Sequence, residues 1–164
     1  MEFFDCVCKR SSVRSYKNHK IDKKLLVRLV DAGRRAPTAR AQEPWEFVVV
    51  TDVSVLKKIA NAAENGRFIE NAAAAVVVFC KPTKYYLEDG CAATENVLLA
   101  AADAGLGSCW IAGDKKDYAE RIGTLLNAPA DLNLVSIISL GLPLNEEIQI
   151  KKRSIEQVLH WDHF

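Results

Sequence analysis

At 164 residues with 49% hydrophobic content, the chain has the length of one ordinary domain and enough apolar residues to fill its core. Its 22 basic and 21 acidic residues nearly cancel to a net charge of +1, which excludes a global field that would hold it on nucleic acid or an anionic membrane. Cys6, Cys8, Cys80, Cys91 and Cys109 are odd in number and form no Cys-x-x-Cys pair, so a reducing cytoplasm is expected rather than a disulfide framework.

No repeat, low-complexity segment or Pro/Gly/Ser-rich linker divides the sequence, and a single domain over residues 1–164 is expected. The first 14 residues mix charges with apolar side chains and lack an apolar stretch before a small-residue cleavage site, so no signal peptide is expected. Residues 1–8 are predicted as a short helix with Phe4, Val7 and Cys8 on one face. After the basic segment 9–14, Asp22 is the N-cap of a helix whose Leu25, Leu26, Leu29, Val30 and Gly33 share a face. Pro37 disfavours helix at the residue before it, and a loop over 37–44 follows.

Residues 47–50 read as a strand, Asp52 or Ser54 caps a helix running through Glu64, and 76–79 read as a second, buried strand. The helix predicted over 87–104 is apolar on nearly every side, with Gly105 as its stop, and is expected to be buried all round. A strand over 108–112, a polar helix from Asp114 towards Asn127 and a strand over 135–140 come next. Ser154 with Gln157 forms a capping-box pattern for a last short helix. The longest apolar region, 97–113, is broken by Asp103 and three glycines, so no membrane span is expected.

Strands alternating with helices suggest a parallel, doubly wound sheet. The glycine-rich phosphate turn of such folds follows the first strand, yet Val50 leads into Thr51-Asp52-Val53-Ser54. A dinucleotide fold is therefore unsupported.

Three segments carry candidate chemistry. In Arg10-Ser11-Ser12-Val13-Arg14, two guanidiniums and two hydroxyls can surround a phosphate, because Arg offers paired donors matched to phosphate oxygens. Lys151-Lys152-Arg153 leads into the capped turn at Ser154, where cations oppose a helix dipole unless an anion sits there too. Between Pro37 and Trp45, two prolines and a tryptophan hold a small-residue ledge. Taken singly, these read as a solvated basic turn, surface charge and a plain connection; their combination is more specific.

On these residues the sequence resembles the FMN-dependent nitroreductase family along essentially its whole length. The family's opening motif is matched by Arg10-Ser11-Ser12-Val13-Arg14 with Tyr16, and its loop by Ala36-Pro37-Thr38-Ala39 through Pro44-Trp45-Glu46-Phe47. Its glycine-rich turn is matched over 105–113, and its end by Gly141-Leu142-Pro143 followed by Lys151 and Arg153. The resemblance implies that Arg10 and Ser12, with Ser11 beside them and Lys151 and Arg153 from the end of the chain, hold the FMN phosphate and ribityl chain. It implies Arg14 at the pyrimidine edge of the ring, where a fixed cation favours added negative charge and raises the reduction potential. Pro37, Thr38 and Ala39 would approach the ring from the other subunit, and the backbone amides of Ala112 and Gly113 would face its central nitrogen.

The implied fold is α+β, a mixed, mostly antiparallel sheet flanked by helices in an intertwined homodimer, which displaces the doubly wound expectation. The implied activity is an NAD(P)H oxidoreductase of ping-pong type, passing electrons from NADH or NADPH to a small-molecule acceptor such as a nitroaromatic or quinone. Alternatives are another FMN-using reaction of the family, or a flavin-binding protein with little turnover. No protein group is expected as general acid. Ala41 stands where the family loop usually has asparagine and Glu43 where it usually has glutamine, and the chain leaves little length for substrate-covering helices.

Other candidates have plainer readings. His19, His160 and His163 do not combine with the cysteines into a spaced metal site, and no metal is expected. Cys109 is expected to be a small buried apolar residue. The basic stretch from Lys17 to Arg28 lacks aromatic interleaving and is expected to be a solvated face, with no nucleic-acid or membrane partner.

Overall fold

A computed structural model describes residues 2–145 and 151–164. Four strands, β1 (Trp45–Val50), β2 (Ala74–Cys80), β3 (Gly107–Ala112) and β4 (Asn133–Gly141), form one sheet in the order β1-β2-β4-β3, and every neighbouring pair is antiparallel. Five helices accompany them: α1 (Phe3–Lys9), α2 (Lys23–Gly33), α3 (Val53–Ala62), α4 (Tyr86–Asp103) and α5 (Ala119–Leu125). The architecture is α+β, and the parallel doubly wound expectation is corrected. The misleading signal has a physical cause. Ala74, Val76, Val78 and Cys80 of β2 pack with α2 and α4 through Leu26, Leu29, Val97 and Leu98. On the other face Ala75, Val77 and Phe79 pack with α3 and α5 through Leu56, Ile59 and Ile122. A strand covered on both faces is apolar at every position, the same pattern that parallel strands give.

Asp52, not Ser54, caps α3: its carboxylate accepts from Ser54 N at 2.7 Å and Val55 N at 3.2 Å, and a hydrogen bond from the Ser54 side chain together with these amides holds its pKa below the usual value. The helix ends at Ala62 rather than Glu64, and the helix predicted from Asp114 begins only at Ala119. Asp22 caps α2 as expected, its carboxylate accepting from Lys24 N. Gly105 stops α4 with φ of 74°, and the following Leu106 N donates to Ala101 O at 2.9 Å, a Schellman closure. At the end of the chain, Ser154 N donates to Gln157 Oε1 at 3.1 Å, and the predicted helix is a single 3-10 turn over Ile155–Gln157.

Burial of the helices is incomplete within one chain, and for α4 this departs from the expectation of burial all round. α1 rests on α4 through Cys6, whose thiol donates to Leu99 O, while Phe4 is 79% exposed and Val7 and Cys8 are also exposed. Met1 lies outside the described residues. In α4, Ala93, Val97, Leu98 and Ala101 are buried, but Cys91, Ala92, Leu99, Ala100 and Ala102 are only half-buried, so the helix is not enclosed all round by its own chain. Among the described residues no helix is long and apolar enough to cross a membrane.

Candidate functional site

β3 is a sheet edge, and the segment after α1 is laid against its start. Ser12 forms an isolated parallel bridge with Ser108, and Val13 N donates to Ser108 O at 2.9 Å. Val13 is buried with Tyr16 and Ala72. Tyr16 Oη donates to Val13 O at 2.6 Å and lies 2.7 Å from Ser139 Oγ, which fixes this backbone to the sheet. With Val13 inward, Ser12 and Arg14 fall on the outer side of the extended segment. The Arg14 guanidinium is exposed, 5.8 Å from the centroid of the Phe68 ring, and donates to Ser12 O at 3.2 Å. Arg10 is half-buried, with Glu95 3.9 Å away.

Arg10 and Ser11 line an open groove of about 850 Å³ with Gly107, Ser108, Lys17 and Leu142. Arg14, Ala112 and Gly113 are not part of its lining. Lys151 and Arg153 lie on a tail whose residues 151–164 are all exposed, and neither lines the groove. Within one chain the groove is thus lined by Arg10 and Ser11, while Ser12, on the outer side of the segment with Arg14, is not part of its lining, and neither are the two C-terminal cations.

Only the first part of the β3 edge is covered. Gly113 N donates to Val135 O at 2.9 Å, so in the antiparallel ladder residues 107, 109, 111 and 113 point their backbone groups at β4 and residues 108, 110 and 112 point theirs outward. The Gly113 amide is therefore committed to the sheet, and the outward amide of the expected pair is that of Ala112. Tyr118 Oη donates to Ala112 O, which fixes the peptide joining Ala112 to Gly113, and burial raises the pKa of this phenol. Ser108 and Ala112 are separated by about 13 Å along the edge at roughly 3.3 Å per residue. Beyond Ala112, Asp114 accepts from Tyr86 Oη at 2.6 Å, a bond that pushes the Tyr86 pKa up to about 12 and keeps it a donor at neutral pH.

The loop with Pro37, Thr38 and Ala39 is held from α4. Thr38 Oγ1 donates to Asp89 Oδ2 and Ala39 N to Asp89 Oδ1, both at 2.9 Å. Arg40, Ala41 and Glu43 have φ of 58°, 51° and 44°, a left-handed backbone that costs an L residue about 1–2 kcal/mol. Asparagine tolerates that region; alanine does not. Ala41→Gly should therefore raise stability by about 0.5–1 kcal/mol in urea unfolding, after allowing for the freedom glycine adds to the unfolded chain. A less stable variant would count against this backbone.

Asp89, Ser108 and Tyr118 were not marked as site residues in the sequence. The sequence carries no distinct signal for them: Asp89 shares the first turn of α4 with Glu88, and only the structure shows that it is the buried one. Burial pushes the Cys80 thiol up to about 12, and Cys109 is buried in β3, both in keeping with packing roles. Among the described residues no group of three or more His, Cys, Asp or Glu side chains could hold a metal.

The nitroreductase family pattern matches residues 7–89 and 81–142, and the chain belongs to the nitroreductase family. An Archaeoglobus fulgidus protein provisionally named NADH dehydrogenase/NAD(P)H nitroreductase is 36% identical over 145 residues, covering 84% of this chain and 83% of the relative. A solved FMN-dependent nitroreductase from Clostridium difficile superposes with a TM-score of 0.92 at 28% identity, covering 98% of this chain and 100% of the other. An iodotyrosine deiodinase from Thermotoga neapolitana is 26% identical over 166 residues, covering 85% of this chain and 88% of its own. The chain is thus an oxidoreductase of this family with an antiparallel α+β fold.

Proposed function

We propose that the chain binds FMN as a homodimer and oxidises NADH or NADPH, passing the electrons to a nitroaromatic, quinone or similar small acceptor. The observation that carries this reading is the open edge of β3: the Ala112 amide points outward about 13 Å from the place where Ser12 and Ser108 meet. The residues fit such a group. In this reading Arg10 and the hydroxyls of Ser11 and Ser12, which lie on opposite sides of one extended segment, serve the phosphate end, Arg14 offers a cation, and Ala112 offers a backbone donor for the ring. Lys151 and Arg153 join the phosphate end in this reading, and Pro37, Thr38 and Ala39 come from the second copy.

When bound, FMN supplies the hydride chemistry, and the protein contributes placement and electrostatics. No side-chain acid or base is assigned. The second copy has a place to sit, because Phe3, Phe4 and Val7 on α1 and Ile155, Val158, Leu159, Trp161 and Phe164 on the tail are all exposed apolar residues. A cytoplasmic location is part of this reading, on an odd number of cysteines with no Cys-x-x-Cys pair.

Light scattering should give twice the chain mass of 18.2 kDa with one FMN per chain. Anaerobic NADH or NADPH should bleach the yellow protein and a quinone or nitroaromatic should restore its colour, with parallel lines in double-reciprocal plots. A protein bleached by dithionite but by neither nicotinamide would overturn the oxidoreductase assignment of donor. A colourless monomer that ignores added FMN would overturn the whole reading.

A further inference from the structure

Asp89 stands in the first turn of α4 and is the side chain from which the loop over 37–39 is held. It is 4% exposed, and its two oxygens each take one donor from the same loop: Thr38 Oγ1 and Ala39 N, at 2.9 Å. Thr38 Oγ1 also accepts from Glu43 N at 3.1 Å. One carboxylate and one hydroxyl therefore join positions 38, 39 and 43, the two sides of the turn in which Arg40, Ala41 and Glu43 are left-handed. Backbone of this kind persists where its surroundings over-determine it, and the Asp89 network does that here.

We propose that Asp89 is a positioning residue: through Thr38 and Ala39 it fixes the ledge that meets the FMN of a second copy. This rests on the flavin reading above. Its consequence is specific, because the Thr38 hydroxyl proton and the Ala39 N–H both point at Asp89. The ledge meets its ligand with backbone and small apolar surface, and the hydroxyl is spent in holding the shape. The two carboxyl oxygens of Asp89 answer one donor each; an asparagine brings one acceptor oxygen and an NH₂ that opposes the second donor.

The test compares Asp89→Asn, Thr38→Val, Thr38→Ser and the double variant Asp89→Asn/Thr38→Val, each well below its melting temperature. Titration with FMN should show about tenfold weaker binding for Asp89→Asn and for Thr38→Val, with a changed visible circular dichroism of the bound flavin. Thr38→Ser, which keeps the hydroxyl, should stay within about twofold of the parent and keep its spectrum. The double variant should be no weaker than the weaker single, since both changes break one chain of bonds. An Asp89→Asn variant that binds FMN like the parent, or losses that multiply in the double variant, would overturn the proposal. If Asp89→Asn does not fold, equal affinities for Thr38→Val and Thr38→Ser overturn it on their own. A parent chain that takes up no FMN defeats the flavin reading first, and the role of Asp89 with it.

Discussion

Replacing Gly107 by alanine is expected to lower both stability and FMN affinity. A Cβ at Gly107 would stand 2.7 Å from Val13 Cβ, 2.7 Å from one of its γ-methyls and 2.8 Å from the other. The nearest of these atoms is not the end of a flexible side chain, so relief requires the backbone of 12–14 to lift from β3. That backbone carries Ser12 and Arg14, and lifting it breaks the bond from Val13 N to Ser108 O. Overpacking of about 1–3 kcal/mol and a lost hydrogen bond of about 1 kcal/mol give a total of about 2–4 kcal/mol. For a chain of this size that is a fall of roughly 5–15 °C in Tm. Adding Val13→Ala removes the two γ-methyls but leaves the Cβ contact, so partial recovery is expected. Calorimetry and FMN titration of the two variants beside the parent measure this; a Gly107→Ala protein with parental Tm and FMN affinity would mean that the segment is not pinned to β3 as described.

The same region shows what could be read from the sequence and what could not. Arg10, Ser11, Ser12 and Arg14 stood out because charge and hydroxyls are concentrated in five residues; in the structure Ser12 bridges Ser108, and Arg10 and Ser11 line the neighbouring groove. Gly105 was legible because a left-handed stop after a long helix admits few other residues. Strand direction was not legible. β2 and β4 are buried at nearly every position, so their apolar runs carry no trace of antiparallel order, and only the resemblance supplied it. Nor could the sequence separate Ala112 from Gly113. Which amide faces outward depends on the ladder register with β4, and a one-residue change in register exchanges them.

Burial also divides in an instructive way. The apolar stripe of α1 was legible as Phe4, Val7 and Cys8, yet in one chain the helix turns Cys6 inward and leaves that stripe outside. The half-buried residues of α4 and the exposed apolar residues of the tail repeat the pattern. Apolar periodicity reports that a face needs cover, without saying whether the same chain provides it. Under the dimer proposal, a second copy supplies what these three surfaces lack.

Arg153 and Arg14 are expected to fail in different ways, because the proposed site puts one at the phosphate and the other at the ring. Arg153→Ala removes a charge-assisted contact to a dianion, a loss of about 1.5–3 kcal/mol when fully made, or about ten- to a hundredfold in FMN affinity. The flavin that remains bound should keep a near-parental midpoint potential, since a contact at the phosphate is nearly the same in both redox states. Arg14 is exposed and lies against Phe68, with its backbone held through Val13 and Tyr16. Arg14→Gln keeps length and a donor but removes the charge, so its effect should appear mainly where negative charge develops on the ring. The midpoint potential should fall by about 20–40 mV, on the scale of about 30 mV per 1.4 kcal/mol for a two-electron couple. Reduction by NAD(P)H should slow, while FMN affinity changes less than in Arg153→Ala. Titrating both variants for affinity and for potential separates the roles. If Arg14→Gln leaves the potential unchanged, or both variants lose affinity alone, the ring does not lie against Arg14.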